Sequence, residues 1–303
     1  MFDEKLKNKL SAEFDGILFD EPLRKHTTMV VGGPADGFLY VSEEQIEPAI
    51  RFCRDNGIDY HVMGNGSNTV GRDGGFRGLI LCIGRKMNSV TLEDSITVKA
   101  QAGAKLSAVA DFAAKNNIAG FEFLAGIPGN LGGAIFMNAG AYGGEIKNLL
   151  VSVSWYENGE FRTESAEKLD FGYRKSYFIN NPGCVITGAV LKGTKGNEAD
   201  IREQMNEYLK KRSASQPLEY PSSGSFFKRP EGYFAGKLIQ DCDLKGFVIG
   251  GAAISEKHAG FVINKGNATG KDIQNLCDYV KKCVKERFGV EMEPEVRFLG
   301  CDK

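Results

Sequence analysis

Met63-Gly64-Asn65-Gly66-Ser67-Asn68 and Gly126-Ile127-Pro128-Gly129-Asn130-Leu131-Gly132-Gly133 are the two stretches on which the fold of this 303-residue chain turns. Glycine has no Cβ and an unrestricted φ, so such runs let successive backbone N–H groups converge on one point, as pyrophosphate binding requires. The first run leaves a short apolar segment that reads as a strand. The second follows a helical pattern from Lys105 to Asn117, with Leu106, Val109, Ala110 and Ala113 on one face. Two such loops suggest a dinucleotide held from both sides, although for either loop alone a tight turn is the alternative. The nucleotide-binding Rossmann pattern does not fit, because Gly64 to Thr69 lacks the third glycine and runs into Val70-Gly71 rather than an amphipathic helix. No lysine follows at the spacing of a P-loop. The later run Met137-Asn138-Ala139-Gly140-Ala141-Tyr142-Gly143-Gly144 adds small residues and one aromatic, which suit close approach to a flat ring.

Outward from these loops the chain reads as mixed α and β. Ser42 to Asn56 opens with the capping pattern Ser-Glu-Glu-Gln, places Ile46, Ala49, Ile50 and Cys53 at helical spacing and stops at Gly57. Strand-like runs span Leu79 to Ile83, Leu149 to Tyr156 and Cys184 to Leu191. A charged helix follows from Glu198 to Arg212, with Ile201, Met205 and Leu209 as its buried stripe. The polar, proline-punctuated stretch 213–230 reads as a long loop. Strands at Phe247 to Ile254 and Gly260 to Asn264 precede a last helix, Thr269 to Phe288.

Composition bounds the function classes. Lysine plus arginine number 38 against 39 acidic residues, so the net charge is −1 and no global positive field invites a nucleic-acid backbone. Nucleic acid is not an expected partner. No stretch approaches the roughly 18 apolar residues that a bilayer span needs, and the start of the chain is charged throughout, so the protein is expected to be soluble and unexported. The seven cysteines are scattered, with no CxxC pair and no histidine at zinc-finger spacing. Buried reduced thiols are expected, and no metal site.

Taken together, residues 63–68, 126–133 and 138–143 resemble the flavin-binding segments of the UDP-N-acetylenolpyruvoylglucosamine reductase family, in order and spacing. Tyr173-Arg174-Lys175-Ser176-Tyr177-Phe178, Gly224-Ser225-Phe226-Phe227-Lys228 and Glu293-Pro294-Glu295-Val296-Arg297 resemble the segments that carry that family's catalytic arginine, serine and glutamate. His26-Thr27-Thr28, Gly32-Gly33-Pro34-Ala35-Asp36, Gly236-Lys237-Leu238-Ile239 and Ile249-Gly250-Gly251-Ala252-Ala253 fit as well, so the resemblance runs from about residue 20 to residue 300. It lacks the inserted tyrosine-bearing loop of the longer branch and matches the shorter one.

The resemblance implies an α+β fold: a two-lobed FAD-binding domain of the vanillyl-alcohol-oxidase type over residues 1–195, with lobes of about 1–84 and 85–195. A C-terminal α+β substrate-binding domain would occupy 196–294, and residues 295–303 would form a strand returning to the FAD-binding domain. It implies FAD and NADPH as cofactors and UDP-N-acetylglucosamine enolpyruvate as substrate. Hydride would pass from NADPH to flavin N5 and then to C3 of the enolpyruvyl group, giving UDP-N-acetylmuramate for peptidoglycan synthesis in the cytoplasm, and hence for cell wall biogenesis, cell shape and division. A monomer is expected.

Site residues follow from the matched motifs. FAD would contact Gly64, Asn65, Gly66, Ser67, Asn68, Gly126, Ile127, Pro128, Gly129, Asn130, Gly133, Ala134 and Gly140. Hydride addition at C3 leaves negative charge at C2 and on the adjoining carboxylate, so the site needs a positive group and a proton donor. Arg174 would face the carboxylate or enolate, Ser225 would protonate C2, and Glu295 would act with Arg174 to polarise the enolpyruvyl group. Outside the family match these three would read as a solvated charge, a loop hydrogen-bonder and a strand-edge carboxylate. Tyr142, Tyr173, Arg229, His258 and Arg297 match substrate-contacting positions; His258 stands where the family often has glutamine, and Arg229 where the longer branch has asparagine. The family's lysine before the serine has no counterpart in Ser213 to Gln216, leaving Lys210, Lys211 or Arg212. A flavin oxidase using oxygen and a nucleotide-sugar-binding regulator without chemistry are the competing readings.

Overall fold

The structure, a computed structural model, describes residues 1–302. Along the chain run α1 (Glu4–Glu13), β1 (Leu18–Pro22), β2 (Pro34–Tyr40), α2 (Glu43–Asp55), β3 (Tyr60–Met63), β4 (Thr69–Gly71), β5 (Phe76–Cys82), β6 (Val90–Leu92), β7 (Thr97–Gln101) and α3 (Leu106–Lys115). There follow β8 (Ile118–Ala119), α4 (Leu131–Met137), β9 (Gly140–Ala141), β10 (Gly144–Glu145), β11 (Leu150–Glu157), β12 (Glu160–Ser165), α5 (Tyr177–Asn180), β13 (Val185–Lys192), β14 (Thr194–Lys195) and α6 (Glu198–Ser215). The last third holds β15 (Ser222–Ser225), α7 (Ala235–Asp241), β16 (Val248–Ile249), β17 (Ala252–Ile254), β18 (Phe261–Asn264), α8 (Gly270–Phe288) and β19 (Arg297–Leu299).

Two compact units share these elements: one gathers Met1–Phe38, Gly66–Leu79 and the chain from Ser213 onward, the other Leu39–Asn65 and Ile80–Arg212. In the first unit β15, β18, β17 and β16 form an antiparallel sheet, against which α8 packs. Its core draws Met29, Val31 and Val70 from the early chain together with Phe226, Leu238, Ile254, Ile273, Leu276 and Val280. Helix α8 begins at a reciprocal cap, in which Thr269 and Asp272 each accept from the other's backbone N–H. The Asp73 carboxylate accepts from the N–H groups of Gly270 and Lys271, at 2.8 and 2.9 Å, which satisfies two more of the helix's unpaired donors. Strand β19 lies parallel to β4, pairing Arg297 with Thr69 and Leu299 with Gly71.

In the second unit the sheet order is β12-β11-β13-β7-β6, antiparallel throughout. The helices α3 and α4 bury Leu106, Val109, Ala110, Ala113, Leu131 and Ile135, and α4 packs on β13, β7 and α5.

Four sequence expectations need correction. Phe247 to Ile254 is two strands, because Gly250, at φ +57, turns the chain between β16 and β17. The supposed loop 213–230 contains β15, which no local pattern of Ser-Ser-Gly-Ser announces; its partner β18 supplies the stability. The α6 stripe ends early: Ile201 and Met205 are buried, whereas Leu209 is 40 % exposed. Of the seven free thiols Cys301 is exposed and Cys242 and Cys283 are half-buried. No helix among the described residues is long and apolar enough to cross a membrane.

Candidate active site

In the second unit the two glycine stretches meet. Asn130, the residue before α4, is 6 % exposed and donates from Nδ2 to the Ile83 carbonyl at 3.0 Å. Ile83 in turn donates its N–H to the Met63 carbonyl at 2.8 Å, so the end of β3, the end of β5 and the second glycine loop are tied at one point. A Cβ on Gly64 would meet only the Asn130 side chain, at 3.9 Å. Leu131 and Gly132 donate to the Ala104 and Ala102 carbonyls. Gly129 takes φ +146, and a Cβ on Gly133 would meet nothing within 4 Å. This backbone surface, open at two glycines and anchored behind, fits the close approach of a dinucleotide such as FAD. Gly140 serves differently, since a Cβ there would lie 2.5 Å from the Gly144 carbonyl oxygen of the β9–β10 hairpin. Ile127 and Pro128 complete the loop, and Ala134 lies buried in the first turn of α4.

Arg212, from α6, donates from its guanidinium to the Gly126 carbonyl, and burial lowers its pKa against the opposing influence of Tyr142. An arginine stays charged even so, and a cation beside the second glycine loop is what the sequence did not place. Four residues earlier, Tyr208 stacks on Tyr142 with ring centroids 4.5 Å apart, and its carbonyl accepts from the Tyr142 hydroxyl at 3.0 Å. Tyr142, at φ +53, is thus held by α6 rather than by its own hairpin alone.

Arg174 sits in a tight turn closed by two backbone hydrogen bonds between Gly172 and Lys175, itself at φ +49. Its guanidinium lies over the Tyr173 ring at 5.3 Å and donates to the Asn138 carbonyl at 3.5 Å. Tyr173 is 56 % exposed. Just beyond, Glu157 accepts from the Tyr177 hydroxyl, Cys184 Sγ and Trp155 Nε1, and pairs with Arg162 at 3.3 Å. Burial works to raise its pKa; the hydrogen bonds from Cys184, Trp155 and Tyr177, with the Arg162 charge, prevail and leave it lowered. Burial, then Glu157, pushes the Cys184 thiol up to about 12.

In the first unit Ser225 ends β15, and the Phe226 carbonyl beside it accepts from the Glu295 N–H at 2.9 Å. The Phe226 N–H donates to Gly260, so Ser225, Glu295 and the His258 turn lie on adjoining backbone. The end of the first glycine loop joins them: Asn68 donates from its side chain to the Glu295 carbonyl at 3.1 Å and accepts from the Arg297 N–H at 2.9 Å. Thr28 closes the arrangement, donating its N–H to the Gly66 carbonyl at 3.2 Å and its hydroxyl to the Ser222 carbonyl at 2.7 Å. Ser67 lies between these anchors.

His258 Nδ1 accepts from the Gly260 N–H at 3.1 Å. Burial, aided by Lys245, lowers its pKa, so the ring is neutral at pH 7 with its proton on Nε2, an available donor. Arg229 donates from Nε to the Tyr233 carbonyl and lies 3.9 Å over the Phe234 ring. Lys228 pairs with Glu293. Arg297 is exposed along part of its side chain, and desolvation of the rest lowers its pKa.

The structure therefore groups Ser225, Glu295, Arg229, His258 and Arg297 in the first unit, and Arg174, Tyr142 and Tyr173 in the second. Sequence reasoning passed over Thr28 and Asn138, whose bonds hold the segments bearing these groups. Both lay inside quoted motifs, yet nothing in local spacing marks a residue whose partners are some 35 to 195 positions away. Among the described residues no cluster of three or more histidine, cysteine or acidic groups could hold a metal.

An FAD binding domain model matches residues 38–160, and the model of the C-terminal domain of UDP-N-acetylenolpyruvoylglucosamine reductase matches residues 216–299. The reductase of Clostridium perfringens (strain SM101 / Type A) is 47 % identical over 299 residues, covering 97 % of each chain. That of Clostridium tetani is 46 % identical over 293 residues, covering 95 % of this chain and 94 % of its own. The crystal structure of the reductase from Thermus caldophilus superposes with a TM-score of 0.79 at 33 % identity, over 93 % of this chain and 98 % of that one. The fold is that of an α+β FAD-dependent oxidoreductase with a separate C-terminal domain. More narrowly, the chain belongs to the UDP-N-acetylenolpyruvoylglucosamine reductase family.

Proposed function

We propose that this enzyme reduces the enolpyruvyl ether of UDP-N-acetylglucosamine enolpyruvate to UDP-N-acetylmuramate, consuming NADPH, in the cytoplasmic synthesis of peptidoglycan precursor. The observation that carries the reading is the shared backbone of Ser225 and Glu295, with Asn68 of the first glycine loop bonded to the same segment. A proton donor and a carboxyl built beside a cofactor loop suit addition of hydride and proton across a carbon–carbon double bond.

FAD, when bound along Gly64–Asn68 and Gly126–Ala134 with Gly140, supplies the relay of a hydride from NADPH to C3 of the enolpyruvyl group. Charge then develops at C2 and on the carboxylate. Arg174 pairs with that carboxylate, its planar fork already oriented by the Tyr173 ring and the Asn138 carbonyl. Ser225 gives its hydroxyl proton to C2, and Glu295 works with Arg174 to polarise the enolpyruvyl group. Tyr142, Tyr173, Arg229, His258 and Arg297 contact the UDP-sugar, with the arginines facing phosphate and His258 Nε2 donating. The FAD-binding domain spans residues 1–195 and the substrate-binding domain residues 196–294, and the strand that begins at residue 295 returns to the FAD-binding domain.

The test is spectroscopic. Under anaerobic conditions NADPH should bleach flavin absorbance at about 450 nm, and the enolpyruvate should restore it. Ser225→Ala should bleach normally yet recover about 100- to 10,000-fold more slowly, the usual contribution of a proton donor. Recovery of Ser225→Ala at the wild-type rate removes serine from the mechanism; flavin that the enolpyruvate does not reoxidise in the wild type removes the substrate.

A further inference from the structure

Helix α4 starts at the second glycine loop and stops at Asn138, which leaves the helix in the left-handed region at φ 43, ψ 59. Asn138 is 1 % exposed. Its Nδ2 donates to the Gly172 carbonyl at 2.8 Å and to Glu145 Oε2 at 3.1 Å, and its Oδ1 accepts from the Lys147 N–H at 3.2 Å. Both amide protons and an amide lone pair are therefore committed, and its backbone carbonyl takes Arg174 Nη1. Two residues back, the Phe136 carbonyl accepts from the Ser176 hydroxyl at 2.6 Å. The last turn of α4 thus grips the Arg174 turn on both sides, at Gly172 and at Ser176.

Such a grip is needed, because Arg174 is a non-glycine residue at positive φ and a surface turn of that kind does not hold a side chain on its own. Glu145 completes the bracket. Lys147 first, against the pull of burial, and then Asn138 and the Arg174 charge keep its carboxyl below the usual range, so an anion faces the guanidinium from the Asn138 side.

We propose that Asn138 is the positioning residue for Arg174: it fixes the guanidinium relative to the cofactor loop at the other end of the same short helix. The proposal rests on the reading that Arg174 pairs with the enolpyruvyl carboxylate. Asn138 acts on the enolpyruvate step and not on cofactor binding, since its side chain bonds only to Gly172, Glu145 and Lys147.

Asn138→Gly tests it, as glycine accepts the left-handed conformation while removing every side-chain bond. Expected are FAD affinity by flavin fluorescence and NADPH bleaching within about twofold of wild type, and enolpyruvate-dependent reoxidation slowed about 10- to 100-fold, the scale of a misplacement near 1 Å. In an Arg174→Ala background, single-turnover reoxidation should show no further loss from Asn138→Gly, since a residue acting through Arg174 has nothing left to act on. An equal fold-loss in both backgrounds, or a wild-type reoxidation rate for Asn138→Gly, overturns the proposal. Should the glycine variant not fold, Asn138→Asp, which keeps the size and loses both donations, carries the same cycle. Loss of FAD binding in both variants makes the residue a fold determinant and overturns it too. Arg174→Ala alone at the wild-type rate removes the role of Arg174, and that outcome is distinct from failure at Asn138.

Discussion

Replacing Asn130 by aspartate changes one amide to a carboxylate at the point where three segments of the second unit are tied. The Asn130 side chain donates to the Ile83 carbonyl at 3.0 Å in a setting that is 6 % exposed for the asparagine and 4 % for the isoleucine. Alanine would leave that carbonyl without its donor, at about 1–3 kcal/mol for a buried group left unsatisfied. No helix-capping loss adds to this, because the Asn130 side chain makes no capping hydrogen bond to α4. Aspartate should cost more at neutral pH, because an ionised oxygen then faces the carbonyl oxygen. The sign with pH is distinctive. Burial raises the folded-state pKa of the new carboxyl above its unfolded value, so the protonated form, which can donate to Ile83, is favoured by folding. Stability of the aspartate variant is therefore greatest below the unfolded value, about 4, and is lost as pH rises through the folded one. Urea unfolding of the FAD-free protein from pH 4 to 8 measures this. FAD titration by fluorescence should show affinity reduced more than about tenfold at pH 7.5, since the loops pinned at Asn130 are the proposed cradle and a second anion would oppose the diphosphate. An aspartate variant with wild-type stability and FAD affinity at that pH refutes the assignment of Asn130 as the tie between the loops.

Two glycines separate cofactor approach from packing: Gly133→Ala, with open space at its Cβ, should unfold within about 0.5 kcal/mol of wild type or be slightly stabilised, while FAD affinity drops. Gly103→Ala places a Cβ 2.3 Å from the Gly84 carbonyl oxygen and should lose about 1–3 kcal/mol by overpacking, which thermal melts of the FAD-free proteins distinguish. Glu157→Gln should cost about 1–3 kcal/mol, because its donors from Tyr177, Cys184 and Trp155 meet an amide that must itself donate. The folded pKa of Glu157 is lowered, so its contribution is present above the ordinary carboxylate value and lost as pH falls through the folded one. Urea melts of wild type and variant should therefore differ most above about pH 5 and converge in acid; a pH-independent gap excludes the charge as the cause.

Much of this molecule was legible in order of residues alone. The helices α2, α3, α6 and α8 follow from apolar spacing and caps, because a helix is written in contacts three and four residues apart. The glycine stretches could be read as backbone built for phosphate, and their succession with the Arg174, Ser225 and Glu295 motifs pointed to the family. The strand β15 could not be found this way, for Ser222-Ser223-Gly224-Ser225 has neither alternation nor β-branched residues and owes its form to β18. The hairpin at Gly250-Gly251 and the early end of the α6 stripe were hidden for the same reason: exposure is decided by what lies opposite.

From sequence by itself come the kinds of group present and their chemistry: glycines that admit a phosphate, a guanidinium, a hydroxyl and a carboxyl. Tertiary structure alone decided which backbone holds each of them. It placed residues 1–38 and 66–79 with the chain after Ser213, so that Thr28 bonds Gly66 and Ser222, and Asn68 bonds Glu295. It also made Asn138 the support of Arg174 and Arg212 the neighbour of Gly126. Hydrogen bonds between segments so far apart carry no local periodicity; their partners are chosen only when the sheets and the core bring the segments together.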